Sequence, residues 1–70
     1  MKKNLKIAIT PEQPLDEVVR ELEKLGYVLD STHGKNFVYA NEDGTIDCFI
    51  TDTQQDWFQL TTLAELKEME

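Results

Sequence analysis

Residues 14–27, PLDEVVRELEKLGY, decide the fold because they have the pattern of an amphipathic helix. The apolar side chains fall three or four positions apart and form one stripe: Leu15, Val18, Val19, Leu22 and Leu25. Pro14 suits the first helical turn, and Lys24 suits the negative C-terminal end of the helix dipole. Gly26 suits a left-handed cap. The pattern predicts a helix over residues 14–25 with one apolar face.

Strands are predicted on both sides of this helix. Leu5, Ile7 and Ile9 alternate with residues 6, 8 and 10, which is typical of a half-buried strand. Further strands are predicted at residues 27–30, 37–40, 46–50 and 57–60. Asp43-Gly44 predicts a hairpin turn, and Gly34 is free to take positive φ in the turn before residue 37.

The end of the chain predicts a second, short helix. Thr62 and Glu65 match the T-x-x-E capping box. Leu63, Leu66 and Met69 then fall on one helical face. The helix is short enough to need packing on the sheet for its stability.

These elements give the order β-α-β-β-β-β-α in a single domain, residues 1–70. The predicted fold is α+β: a small antiparallel sheet of four or five strands, the main helix on one face, and the short C-terminal helix. Six strand residues are expected to face the helix stripe: Leu5, Ile7, Ile9, Ile46, Cys48 and Ile50. The strand order does not follow from the pattern.

Charge is distributed unevenly along the 70 residues, which carry a net −7. Residues 1–35 contain six basic and six acidic side chains, whereas residues 36–70 contain Lys67 alone against eight acidic ones. Direct nucleic-acid binding is disfavoured, because phosphate contacts need a basic surface. A basic protein is a better partner for such a chain. The alternative is an acidic surface that only keeps the protein soluble.

The sequence predicts a soluble, cytoplasmic protein with no membrane contact. No apolar run approaches the ~18 residues of a membrane span, and the N-terminal run is too short for a signal peptide. Cys48 is the single cysteine, so no internal disulfide forms.

Residue types and spacing argue against metal, cofactor and catalysis. One cysteine and one histidine, Cys48 and His33, are too few for a zinc site. The stretch NEDGTIDCFITD does not match a calcium loop, since its glycine is fourth rather than sixth. Cys48 lies on the apolar side of its predicted strand, where a thiol is inert. We therefore expect no metal, no cofactor and no enzyme activity.

A protein-binding surface remains the best candidate site. It is predicted to combine carboxylates with one aromatic anchor, as compact binding surfaces do. Its residues are Glu42, Asp43, Asp47, Asp52, Asp56 and Trp57. Trp57 and Phe58 point to opposite faces if they lie on a strand, so one of them stays outside the core. The alternative is that the C-terminal helix covers Phe49 and these aromatics as a second core layer.

The segments "ITPEQ", "LEKLGY", "DG" and "TTLAELKEM" together resemble a group of small proteins encoded by phages and prophages of Gram-positive bacteria. The resemblance implies an accessory protein that binds a host protein, such as a defence enzyme or a nuclease. It thus predicts a module that docks on, and inhibits, a basic or DNA-binding host protein in the bacterial cytoplasm. A second hypothesis is an oligomer that binds a nucleotide-like ligand, for which Gly34 and Lys35 are the only phosphate-binding candidates.

Overall fold

The computed structural model describes residues 3–51 and 58–69. Its elements are β1 (Leu5–Ala8), α1 (Leu15–Lys24), β2 (Val28–Thr32), β3 (Phe37–Ala40), β4 (Thr45–Phe49), β5 (Gln59–Leu60) and α2 (Leu63–Glu68). The predicted α+β class, the main helix and the short C-terminal helix are confirmed. Pro14 lies at the N-cap of α1, and Gly26 has the expected positive φ of 99° after its last turn.

The five strands form one mixed sheet in the order β2-β4-β3-β1-β5. β3 is antiparallel to both β1 and β4, whereas β2 is parallel to β4 and β5 is parallel to β1. The prediction of an antiparallel sheet was therefore wrong. The reason is that α1 returns the chain to the end of the sheet where β1 began, so β2 runs in the same direction as β1. The β3–β4 hairpin then fills the space between β1 and β2.

One face of the sheet packs against both helices and forms the core. Buried side chains from the sheet meet Val18 and Leu22 of α1 and Leu63 and Leu66 of α2. Four of the six strand residues predicted to face the helix are buried there: Leu5, Ile7, Ile46 and Cys48. Ile9 is partly buried against the same cluster.

Two apolar residues are exposed at the ends of their elements, and one of them, Ile50, was wrongly predicted to face the helix. Ile50 is 61% exposed, because β4 ends at Phe49 and the strand alternation no longer directs the next side chain inward. Met69 is 40% exposed, because it lies after the last helical residue of α2.

Side-chain hydrogen bonds attach α2 to the rest of the fold. Thr62 caps the helix, since its hydroxyl accepts a hydrogen bond of 3.2 Å from the backbone N–H of Glu65, as the capping box predicted. The side-chain amide of Gln13 donates to the carbonyl of Ala8, and its oxygen accepts from the N–H of Leu63 at 3.1 Å. Gln13 therefore links the end of β1 to the start of α2.

Residues 33–36, named here the crossover connection, join β2 to β3 across the end of β4. The N–H of His33 donates to the carbonyl of Cys48 at 2.8 Å, and the N–H of Asn36 donates to that of Phe49 at 3.1 Å. Gly34 was free to take positive φ but does not adopt it. A Cβ at Gly34 would instead overlap the backbone of Phe49 and Ile50. Glycine is needed there for close approach.

Candidate acidic binding site

Residues 41–44, named here the acidic turn, close the predicted hairpin between β3 and β4. The N–H of Gly44 donates to the carbonyl of Asn41 at 2.9 Å, and the N–H of Asn41 donates to that of Thr45 at 2.8 Å. Gly44 has a φ of 95°, the left-handed conformation that glycine adopts without strain. Glu42 and Asp43 are exposed at the tip of this turn.

The Asp43 carboxylate is held by the residue that follows the turn. Its Oδ1 accepts hydrogen bonds from the Thr45 hydroxyl at 2.7 Å and from the Thr45 N–H at 3.0 Å. These two hydrogen bonds, the hydroxyl's first, lower the pKa of Asp43 below its usual value. The tip of the acidic turn therefore carries an ionised carboxylate whose position is held by two hydrogen bonds from Thr45.

Asp47 lies on the sheet face opposite the helices and is half-buried. Its Oδ1 accepts a hydrogen bond of 2.8 Å from the hydroxyl of Ser31, and its Oδ2 accepts one of 2.9 Å from the side-chain amide of Asn41. Asp47 thus joins β2, β4 and the acidic turn. The Asp47 carboxylate therefore stabilises the acidic turn more than it contributes exposed charge to the binding site.

The three predicted site carboxylates in the described part of the chain form no ion pair. Within residues 3–51 and 58–69, no lysine or arginine forms an ion pair with Glu42, Asp43 or Asp47. The ion pair of 3.2 Å between Lys24 and Glu21 lies on α1 instead. The carboxylates of the acidic turn are therefore not paired directly with a basic side chain within the described residues.

The remaining predicted site residues, Asp52, Asp56 and Trp57, lie outside the described residues. Phe49 shares the sheet face of Asp47. Its ring stacks on that of His33 at 5.9 Å between centroids and meets Tyr39 edge-on at 5.5 Å. Phe58 is buried and meets Tyr39 at 5.0 Å. The alternative that α2 covers Phe49 was wrong, because α2 packs on the other face.

The structure adds a part of the site that sequence reasoning missed. The N–H of Val28, the first residue of β2, donates to the carbonyl of Gly44 at 2.8 Å, so β2 begins beside the acidic turn. Val28 is 66% exposed, Leu29 is 43% exposed, and Asp30 is exposed next to them. The missed signal was the pair of adjacent apolar residues, which does not alternate as a half-buried strand does.

The Cys48 and His33 side chains are not brought together. Cys48 is buried in the helix-facing core, and this burial is the main cause that raises the pKa of its thiol. The His33 ring stacks on Phe49, whose side chain points to the opposite face of β4. This arrangement does not form a nucleophile and base pair.

Residues 3–51 and 58–69 contain no cluster of three or more histidine, cysteine or carboxylate side chains arranged to hold a metal ion. No helix in this part of the chain is long and apolar enough to span a membrane.

Comparison of the chain with protein-family models, with curated proteins and with solved structures gave no match. The resemblance to small phage proteins therefore stays a prediction.

Proposed function

We propose that the chain is a protein-binding module, without catalytic activity, that docks its acidic turn on a basic partner. The observation that supports this proposal is the exposure of Glu42 and Asp43 at one tip, where neither carboxylate forms an ion pair within the described residues. The resemblance noted above makes a basic or DNA-binding host protein the expected partner, and inhibition of that protein the expected outcome.

The rigidity of the acidic turn supports the same proposal. Asn41 and Asp47 hold the turn against β4, and Thr45 fixes the carboxylate of Asp43. A charged surface that is ordered before binding loses less conformational entropy on association. It also accelerates encounter with a basic surface through long-range attraction.

The small-ligand hypothesis has less support. It relied on Gly34 and Lys35 as the only candidates for basic or backbone donors to a phosphate. A Cβ at Gly34 would overlap the backbone of Phe49 and Ile50, so that side of Gly34 is closed to a ligand.

The test compares charge reversals at two exposed positions that change net charge equally. Glu42→Lys alters the tip of the acidic turn, while its backbone N–H keeps the 2.8 Å hydrogen bond to Asn4 Oδ1. Glu12→Lys, in the exposed turn before α1, is the matched control. Tagged protein first captures partners from a bacterial lysate, and mass spectrometry identifies them. Association rates with the purified partner are then measured at several salt concentrations.

Glu42→Lys is expected to slow association severalfold and to flatten its salt dependence, because surface charges act mainly on the association rate. Glu12→Lys is expected to leave both close to the wild-type values. If both variants associate as fast as wild type, the acidic turn only contributes to solubility and the proposal fails.

A further inference from the structure

The outer edge of β2 has no partner strand among the described residues. β2 is a terminal strand of the sheet and pairs with β4 on one side. The N–H groups of Val28 and His33 donate to carbonyls of Gly44 and Cys48, both at 2.8 Å, and so point toward β4. Neighbouring residues of a strand turn their backbone groups to opposite sides. Leu29 and Thr32 therefore direct theirs to the open edge.

This edge also exposes apolar surface. Val28 and Leu29 are adjacent in sequence, so they point to opposite faces of the sheet, yet both are largely exposed, at 66% and 43%. An added strand gains affinity from hydrogen bonds to such unpaired backbone groups and specificity from contacts with the neighbouring side chains.

The charge at this edge opposes a second copy of the chain as the added strand. Asp30 is exposed where the β2–β4 register shifts between Leu29 and Ser31. Irregularities and charges of this kind limit pairing between like edges. Two copies would bring two Asp30 side chains toward each other, and each copy carries a net −7.

A basic segment meets none of this repulsion. Asp30 and the acidic turn lie along the first part of β2, whereas Lys35 follows its far end in the crossover connection. We propose that the open edge of β2 receives an extended basic segment of the partner as an added strand, with a basic side chain facing Asp30. This inference rests on the proposed function and specifies how the basic partner binds.

The probe is a blocked heptapeptide in which lysine alternates with valine, added to the full chain labelled with ¹⁵N. The amides of Leu29 and Thr32 are expected to shift and to exchange more slowly with solvent. Leu29→Pro removes the outward N–H and none of the β4 hydrogen bonds. It is expected to weaken peptide binding severalfold, up to about tenfold, as the loss of one backbone hydrogen bond implies.

The opposite edge of the sheet provides a matched control. Leu60 is 66% exposed on β5, and the N–H groups of Gln59 and Thr61 donate to carbonyls of Asn4 and Lys6 at 2.9 and 2.8 Å. The N–H of Leu60 therefore also points outward. Leu60→Pro is expected to bind the peptide as wild type does.

Asp30→Lys tests whether the negative charge of Asp30 attracts the basic peptide. It also tests the strand addition if Leu29→Pro does not fold. It is expected to weaken the lysine peptide and to strengthen binding of the same peptide with glutamate in place of lysine. Absence of any shift at about 1 mM peptide overturns the inference, since even weak specific binding is detectable there. Concentration-dependent dimers through β2 overturn it in favour of a second copy.

The outcomes with the captured partner separate this inference from the proposed function. Binding that Glu42→Lys weakens and Leu29→Pro leaves unchanged overturns the strand addition alone. Binding that neither variant weakens overturns both. Binding that both weaken supports both.

Discussion

The crossover connection and the acidic turn each have four residues and one glycine, but they use the glycine for different reasons. In the acidic turn, Gly44 adopts a φ of 95° that closes a hairpin between neighbouring strands. In the crossover connection, Gly34 has no positive φ and passes against the backbone of Phe49 and Ile50. One glycine meets a local conformational requirement, and the other meets a requirement set by a strand that follows it in sequence.

The two connections also differ in charge. The acidic turn presents Glu42 and Asp43, and the crossover connection carries Lys35. They lie toward opposite ends of β2, which begins beside the acidic turn and leads into the crossover connection. The charge along the open edge of β2 is therefore asymmetric, with the negative side chains toward the start of the strand.

The largest effect is expected for Gly34→Ala. The added Cβ would overlap the backbone of Phe49 and Ile50, so the crossover connection or the end of β4 must move. Overpacking of this kind costs about 1–3 kcal/mol in the free energy of unfolding, which urea denaturation measures. Unchanged stability would show that the connection does not press against β4.

A smaller loss is expected for Gly44→Ala, about 1 kcal/mol, because alanine is strained in the left-handed conformation. Substitution by asparagine distinguishes a need for positive φ from a lack of space, since asparagine tolerates positive φ but is larger than alanine. Gly44→Asn should recover part of the lost stability, whereas Gly34→Asn should be no better than Gly34→Ala. An equal effect of asparagine on stability at both positions would contradict the different roles of Gly34 and Gly44.

Asn41→Ala is expected to cost about 1 kcal/mol, because the Asn41 amide donates to Asp47 Oδ2 at 2.9 Å and to Thr45 Oγ1 at 3.0 Å. Asn36→Ala is the control in the crossover connection, where the amide donates to the exposed carbonyl of Ile50 at 2.8 Å. It should cost less, since water replaces that hydrogen bond. Thermal unfolding measures the stability of both variants. A larger loss of stability for Asn36→Ala would contradict the role of Asp47 in holding the acidic turn.

The smallest effect concerns the pH response of the acidic turn. The pKa of Asp43 is lowered in the folded state, so the stability that its ionised form contributes is present above the unfolded pKa and is lost as pH falls through the folded pKa. Thr45→Val should raise the pKa of Asp43 toward its usual value, because the hydroxyl is removed. Thr45→Ser keeps the hydroxyl and should keep the pKa low. Carboxyl ¹³C NMR titration measures both, and equal pKa values in the two variants would contradict the assignment.

One part of the candidate site, the acidic turn, followed from sequence because its determinants are local. Asp43-Gly44 identified the turn, and Glu42 and Asp43 are exposed in it as expected. Asp47 was expected to be part of the partner-binding surface, but Ser31 and Asn41 engage its carboxylate inside the molecule. That role depends on Ser31, which is sixteen positions away in the chain, and no pattern around residue 47 indicates it.

The sequence by itself determined the helices, the positions of the five strands, the hairpin and the capping of α2, because each depends on residues within a few positions of one another. Only the tertiary structure decided that β2 pairs in parallel with β4, that Gly34 must clear the end of that strand, and that Val28, Leu29 and Asp30 lie on an open edge. Apolar alternation specifies which face of a strand is buried, but it carries no information on strand direction or on which strand is the neighbour. Those features arise when α1 returns the chain to the sheet and the β3–β4 hairpin occupies the space between β1 and β2.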